Sequence, residues 1–310
     1  MAKSTPINAL RTPEERFANI PDFDFPVKYV DDLKGYEGLR IAYIDTGAKD
    51  TGSSDADRTF LCLHGEPSWS FLYRRMIPVF LNSGARVIAP DLLGFGRSDK
   101  PAKQSDYSFH FHRNYLLELV ERLDLQNITL VVQDWGGLLG LTLPVDEKFR
   151  ARFSDLIVMN TGLGLGRGMT EGFLAWKNYA MNTPDLPIGS LIARGTPHLT
   201  EAEIAAYDAP FPNADYKAGA QIFPALVPVE PEMEGVDISM AAAQYWQKDF
   251  NGKSYMAIGA ADPVLGVKPM MSLKKIINGC SEPMIIEDGG HFVQEWGEEI
   301  AQAALQHLNK

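Results

Sequence analysis

The segment Val131-Val132-Gln133-Asp134-Trp135-Gly136-Gly137 concentrates the chemistry of this chain. An apolar run leads straight into a small-residue turn and then into a helical pattern over 138–143. That is the arrangement of a nucleophile elbow, in which a reactive side chain sits on a sharp strand-to-helix turn. The central position of the usual G-x-S-x-G pattern is held here by Asp134. An aspartate before a helix also suits a cap that accepts backbone N–H groups. Taken alone, the segment fits both readings. As a nucleophile, Asp134 would differ from serine in one respect. Its carboxylate is already ionised at pH 7 and needs no base in order to attack. Two other segments, His64-Gly65-Glu66-Pro67 and Asp91-Leu92-Leu93-Gly94-Phe95-Gly96-Arg97-Ser98, also follow apolar runs. Near the end, Asp288-Gly289-Gly290-His291-Phe292 offers an imidazole in a tight turn.

Elements able to hold these segments recur along the chain. Short apolar runs at 39–44, 59–63, 86–90, 128–133, 156–160, 254–259 and 283–287 are mostly rich in Val, Ile and Leu without alternation. Parallel strands buried on both faces read this way. Helical patterns at 69–81, 109–123, 267–277 and 298–308 lie between and after them. In the second, Tyr115, Leu116, Leu119 and Leu123 fall at helical spacing. Strands alternating with helices imply an α/β fold with a doubly wound, mostly parallel sheet. The rhythm breaks between about 161 and 236, where Pro and Gly are frequent and no clear strand occurs. Helical fragments stand at 169–181 and 199–207. This stretch is too long for an ordinary loop and is expected to be a helical cap over the C-terminal edge of the sheet. The expected division is a core of 1–160 and 237–310 with a cap of 161–236. Residues 1–38 read as an arm, and 45–58 as a polar surface loop. The run from Gly162 to Gly168 satisfies no register of G-x-G-x-x-G and is expected to be a flexible hinge.

With its motifs in this order, nearly the whole chain resembles the α/β-hydrolase superfamily. The resemblance implies that Glu66 and Trp135 supply the backbone N–H groups of an oxyanion hole. It also implies that His291, after the final strand, is the general base. His64, His110, His112, His198 and His307 lack that context. His110 and His112 stand at i, i+2, so they do not share a helix face as metal ligands would. The acid of such a site follows the sixth or the seventh core strand. The first location offers Asn160, which cannot ionise, and the second offers Asp262. Asp262 is the expected acid, because Asp288 lies too near His291 in sequence to match the family's arrangement. The order Asp134, Asp262, His291 then fits nucleophile, acid and histidine.

A carboxylate nucleophile can displace a leaving group from saturated carbon and form an alkyl ester. His291 would activate water against that ester, and Asp262 would orient the imidazole and stabilise its cation. The substrates narrow to haloalkanes or epoxides. A departing halide wants neutral N–H donors in a dry pocket, whereas an epoxide oxygen wants acidic O–H donors. Trp135 and Trp176 carry indole N–H groups that donate only, although tryptophan is also a common core filler. Trp69, Trp246 and Trp296 are expected to be structural. Tyr179, Tyr207 and Tyr216 keep the epoxide alternative open. Together, His64-Gly65-Glu66-Pro67, Asp134-Trp135-Gly136-Gly137, Phe173-x-x-Trp176, Asp262 and Asp288-Gly-Gly-His291-Phe-Val resemble the haloalkane dehalogenases from end to end. The closest likeness is to the subgroup whose acid follows the seventh core strand and whose second halide-binding tryptophan comes from the insert. The resemblance implies halide binding by Trp135 and Trp176, and a pocket lined by Phe173 and Phe223. The stretch 161–169 is short and glycine-rich, so substrate preference is not implied. The expected activity is hydrolytic dehalogenation. The alternatives are epoxide hydrolysis and a non-catalytic small-ligand-binding protein on the same fold.

Composition narrows the partners. The 310 residues include 29 Lys and Arg against 40 Asp and Glu, a formal net charge of −11. With no basic cluster to reverse that field locally, nucleic acid is not an expected partner. Two cysteines make no disulfide framework, and Cys62 and Cys280 are expected to be free thiols. No run of 18 apolar residues occurs, so neither a spanning helix nor a membrane partner is expected. The stretch MAKSTPINALRTPEERF has no apolar signal core, which makes the cytoplasm the expected location. No cofactor and no metal are expected. The implied partners are a small apolar halogenated substrate, water and the halide product. The oligomeric state is left open, with a monomer as the default. The negative charge also bears on the halide, which neutral indoles would hold without long-range attraction.

Overall fold

A computed structural model describes residues 7–47 and 57–310 of the protein. The start of the N-terminal stretch and most of the polar loop expected at 45–58 fall outside them. One eight-stranded sheet forms the centre. Its strands are β1 (Val27–Val30), β2 (Ile41–Asp45), β3 (Thr59–Leu63), β4 (Arg86–Pro90), β5 (Ile128–Gln133), β6 (Phe153–Met159), β7 (Ser254–Gly259) and β8 (Met284–Ile286). They lie side by side in the order β8-β7-β6-β5-β3-β4-β2-β1. From β8 to β4 every pairing is parallel, while β2 runs antiparallel to both β4 and β1. Strands β3, β5 and β7 are buried along their whole length. That is why their sequences read as continuous apolar runs. Strand β1 escapes the periodicity because it is short, sits at the sheet edge and is partly exposed.

The α-helices of six residues or more are α1 (Ile77–Asn82), α2 (Phe109–Arg122), α3 (Trp135–Gly140), α4 (Glu171–Asn182), α5 (Ile188–Ala193), α6 (Glu201–Asp208), α7 (Ala218–Leu226), α8 (Val236–Lys248), α9 (Val267–Lys274) and α10 (Gly297–Leu308). Helix α2 starts where Ser108 caps it, its hydroxyl accepting from the Phe111 N–H at 3.2 Å. The single helix expected at 69–81 is broken. A 3-10 turn covers Ser70–Tyr73, and α1 begins only at Ile77, with Pro78 in its first turn. Proline has no N–H to donate, so a helix can begin there but does not run through it. Helix α3 starts at Trp135, three residues earlier than the apolar pattern suggests. Among the described residues, the stretch between β6 and β7 holds helices α4 to α8 and no strand. No helix there is long and apolar enough to cross a membrane. Cys62 is buried, Cys280 is half-buried, and both are free.

Two features decide where a site can form. First, β3 pairs with β4 on one side and β5 on the other, so the chain reverses direction across the sheet at β3. Open α/β sheets bind ligands outside the strand ends at such a switch point. Second, a buried ionic cluster fastens α6 to the core. Arg74 places one nitrogen 2.7 Å from each oxygen of Glu295 and also reaches Glu203 at 2.7 Å. Arg75 bonds the same two glutamates at 3.1 and 2.6 Å, and the Tyr207 hydroxyl completes the set on Glu295. Glu203 and Tyr207 belong to α6, whereas Glu295 lies four residues beyond His291.

Candidate active site

Strands β3 and β5 pair from Thr59↔Ile128 to Leu63↔Val132, so the turns that follow them emerge side by side. The turn after β5 is a strained elbow. Asp134 has φ 49° and ψ −124°, a conformation that L residues avoid and that costs on the order of 1–3 kcal/mol. Surrounding backbone bonds hold it there. The Asp134 N–H donates to Asn160 O at 3.0 Å, and Gly137 and Leu138 N–H groups both donate to Asp134 O at 2.9 Å. The next turn comes very close to β3. A Cβ on Gly136 would lie 1.9 Å from the Leu63 carbonyl oxygen, so only glycine fits. A Cβ on Gly65 would lie 2.4 Å from the Asp134 Cβ.

The alternative of Asp134 as a helix cap does not survive this geometry. Its side chain makes no cap hydrogen bond to α3. Instead Oδ2 accepts the backbone N–H of Glu66 at 2.9 Å. Oδ1 lies 3.5 Å from His291 Nε2. On the other side of the ring, Nδ1 is 2.8 Å from Asp262 Oδ2. An ionised carboxylate only accepts, so Nδ1 carries the proton and Nε2 faces Asp134. Asp262 also accepts the Val264 N–H at 2.8 Å and an Asn160 amide N–H at 3.0 Å. Burial raises its pKa, but His291 and these donors outweigh burial and bring it down to about 2. For His291, burial pushes the pKa down, and the carboxylates of Asp262 and Asp134 outweigh it and raise the pKa well above the ordinary value.

The five residues Asp134, His291, Asp262, Glu66 and Trp135 thus meet at one place. They line a cavity of about 880 Å³ between the strand ends and the helices over them. Phe173 and Trp176 on α4 line the same cavity. Trp69 and Trp246 commit their indole N–H groups to backbone carbonyls, of Ala206 at 3.1 Å and Leu141 at 2.8 Å. Trp135 and Trp176 instead turn their rings to the cavity, and the Trp176 indole faces the Glu66 carboxyl. Phe223 is a correction. It is fully buried behind Trp135, with ring centroids 4.7 Å apart, and does not line the cavity, which its neighbour Pro224 does. Position in the insert suggests a pocket residue, but Phe223 faces inward to Phe95, Tyr107 and His112.

Other expectations also resolve. Asp288 is exposed and lies away from the cavity. His64 is buried, with Nδ1 2.9 Å from Gly65 O and Nε2 accepting the Leu92 N–H at 2.9 Å. His112 has both ring nitrogens near backbone carbonyls. The run Gly162 to Gly168, expected to be a hinge, forms one wall of the cavity. It is tied by the Gly166 and Gly168 N–H groups to Pro228 O at 3.2 Å and Val229 O at 2.8 Å. Among the described residues, no tyrosine lines the cavity. Tyr207 is in the buried ionic cluster, and Tyr179 is exposed.

Sequence reasoning missed two participants. Asn160, set aside because it cannot ionise, fastens the acid. Its amide donates to Asp262 and to Gly259 O at 3.0 Å each, and its oxygen accepts the Gly259 N–H at 2.8 Å. Its place at the end of β6, beside β7, was the available signal. The Glu66 side chain is the other. It is buried, its Oε1 has no hydrogen-bond partner, and burial together with the charge of Asp134 raises its pKa well above the usual carboxyl value.

Known proteins similar to this chain share one family and one name. Residues 58–298 match the alpha/beta hydrolase fold family. A protein named haloalkane dehalogenase from Psychrobacter cryohalolentis is 43% identical over 310 residues, 97% of this chain and 98% of that one. Another with that name, from Mycolicibacterium paratuberculosis, is 38% identical over 307 residues, 96% of this chain and 98% of its own. Among solved structures, haloalkane dehalogenase DpaA from Paraglaciecola agarilytica NO2, described as tetrameric, superposes with a TM-score of 0.92 at 52% identity. The match covers 97% of this chain and 98% of that one.

Proposed function

Because the chain belongs to the haloalkane dehalogenases of the α/β-hydrolase fold, we propose that it works through an alkyl ester on Asp134. The carboxylate attacks the halogen-bearing carbon from the side opposite the halogen. One C–O bond forms, the C–halogen bond breaks, and halide leaves with the electron pair. Oδ2 stays on the Glu66 N–H as the carbonyl oxygen of the ester, which leaves Oδ1 as the attacking atom. The indoles of Trp135 and Trp176 donate to the departing halide. A strong hydrogen bond to an ion contributes about 1.5–3 kcal/mol, enough to matter in the cleavage step.

Water then attacks the ester carbonyl carbon. His291 Nε2 takes its proton, Asp262 stabilises the imidazolium, and the Glu66 and Trp135 N–H groups hold the tetrahedral oxyanion. Collapse of that intermediate returns Asp134 as a carboxylate and releases the alcohol, and His291 gives up one proton to solvent. The alternative on the same fold, epoxide opening, is not favoured, because among the described residues no tyrosine lines the cavity to offer an O–H to the oxygen that would leave. Stretch 161–236 serves in this reading as the cap that brings Trp176 and Phe173 over the nucleophile.

The observation that carries the mechanism is Asp134 held on its elbow between the Glu66 N–H and His291 Nε2. The test is His291→Gln. This variant should release halide once and stall, with an alkyl adduct on Asp134 visible by intact-protein mass spectrometry and peptide mapping. Halide release in a single turnover without any adduct would overturn the two-step scheme.

A further inference from the structure

The charged groups around the cavity are sorted by depth. Its inner end holds Asp134, Asp262, Glu66 and His291, with Glu66 and Asp262 buried. Its outer end holds Arg167 and Arg194, both exposed. Between them the walls are apolar, including Leu138, Leu163, Leu165, Val227 and Leu265. Among the described residues, neither arginine side chain makes an ion pair or a hydrogen bond. The Arg194 guanidinium lies 6.0 Å from the Tyr179 ring centroid. Exposed Glu171 lies four residues beyond Arg167, and exposed Glu230 and Glu232 flank Pro231, which packs against Gly166; none of the three lines the cavity.

Both arginines are carried on tied backbone. Arg167 sits between Gly166 and Gly168, whose N–H groups are bonded to Pro228 and Val229. Arg194 follows α5, and the next residue, Gly195, accepts the Gly290 N–H at 3.2 Å, beside His291. In a protein of net charge −11, two guanidinium groups without an ion pair among the described residues line one cavity and oppose the overall field there. A guanidinium is also the cation best shaped for a carboxylate. A cavity of this volume is in the range that takes drug-sized ligands, larger than a short haloalkane needs.

Resting on the dehalogenase reading above, we propose that the site takes haloalkanes bearing an anionic far end. These are ω-haloalkanoates, with the carbon–halogen bond at Asp134, the chain on the apolar walls, and the carboxylate at Arg167 and Arg194. The two arginines act as specificity-determining residues and take no part in bond breaking.

The test compares a series of ω-bromoalkanoates with ω-bromoalkanols of equal length, on the whole protein and on an Arg167→Gln/Arg194→Gln variant. At the matching chain length kcat/KM for the acid should exceed that for the alcohol by roughly 3- to 20-fold, the size expected of two partly solvated charge contacts. The preference should fall as salt is raised. It should vanish in the double variant, return in the Arg→Lys double variant in part, and leave alcohol turnover unchanged. An acid-to-alcohol ratio that is the same in the whole protein and the variant would overturn the proposal. So would a drop in kcat for neutral bromoalkanes in the variant, which would assign the arginines to halide departure. Halide release from neutral bromoalkanes tests the underlying dehalogenation separately, so the two readings fail independently.

Discussion

At the residue scale, the site is a set of charges whose protonation is set by their neighbours. His291 faces two carboxylates in the resting protein, and they raise its pKa. Ester formation makes Asp134 neutral and removes one of them. The imidazole pKa should then drop towards its ordinary value, so that a neutral base is available when it is needed. Loss of activity on acidification should accordingly set in at a lower pH for ester hydrolysis than for protonation of the resting imidazole. Single-turnover hydrolysis rates against pH, set beside a ring-proton NMR titration of the free protein, measure both. Coincident midpoints would contradict the argument. These roles were legible in the sequence to different degrees. Asp134 and His291 stand in turns directly after strands, where the chain pattern points at them. The Glu66 side chain was not legible, because only the fold shows that this carboxyl is buried next to Asp134 without a partner for Oε1.

At the element scale, the ends of β6 and β7 act together. Asn160 closes β6 and bonds both the backbone of Gly259 and the carboxylate of Asp262, which follows β7. Parallel pairing between the two strands brings these ends level. Removing the amide in Asn160→Ala leaves Asp262 with one hydrogen-bond donor fewer and a looser position. Ester hydrolysis should slow by roughly 10-fold or more, the size of a lost hydrogen bond to a charged group, while the halide burst persists. Rapid-mixing kinetics separate the two steps, and an equal loss in both would refute a role confined to the acid. The buried parallel strands were readable to within a residue because burial on both faces leaves an uninterrupted apolar signature, except that β6 starts three residues before the expected 156, where Ser154 and Asp155 are half-buried. Strand β1 and the broken segment before α1 were not. One is partly exposed at an edge, and in the other an apolar helical pattern hides the proline that interrupts it.

At the scale of the whole molecule, the cluster of Arg74, Arg75, Glu203, Glu295 and Tyr207 joins parts of the chain that are distant in sequence. Removing one partner from a buried pair typically costs about 3–5 kcal/mol. Arg74→Met should therefore lower the unfolding midpoint in urea markedly. The effect of pH has a definite sign. Burial alone would raise the Glu203 pKa, but Arg74 and Thr200 outweigh it and bring it from 4.5 down to about 2. A depressed carboxyl contributes stability above its unfolded pKa and loses it as pH falls through the folded value. The gap in stability between the protein and Glu203→Gln should hold near neutrality and shrink between about pH 5 and pH 2. A gap independent of pH would remove Glu203 from the account. Nothing in the sequence marks these residues as one cluster, since Arg74 and Arg75, Glu203 and Tyr207, and Glu295 stand far apart along the chain.

That same cluster limits how the molecule can be recombined. A chimaera built by exchanging residues 161–236 for those of a relative would cut between Glu203 and Tyr207 on one piece and Arg74, Arg75 and Glu295 on the other. A donor segment lacking Glu203 would leave Arg74 and Arg75 facing a single glutamate, and one lacking Tyr207 would take a hydrogen bond from Glu295. The helices over the site are thus not a detachable module. Their inheritance is coupled to three positions in the core that do not line the cavity, and successful exchanges should be those that carry both halves of the cluster together.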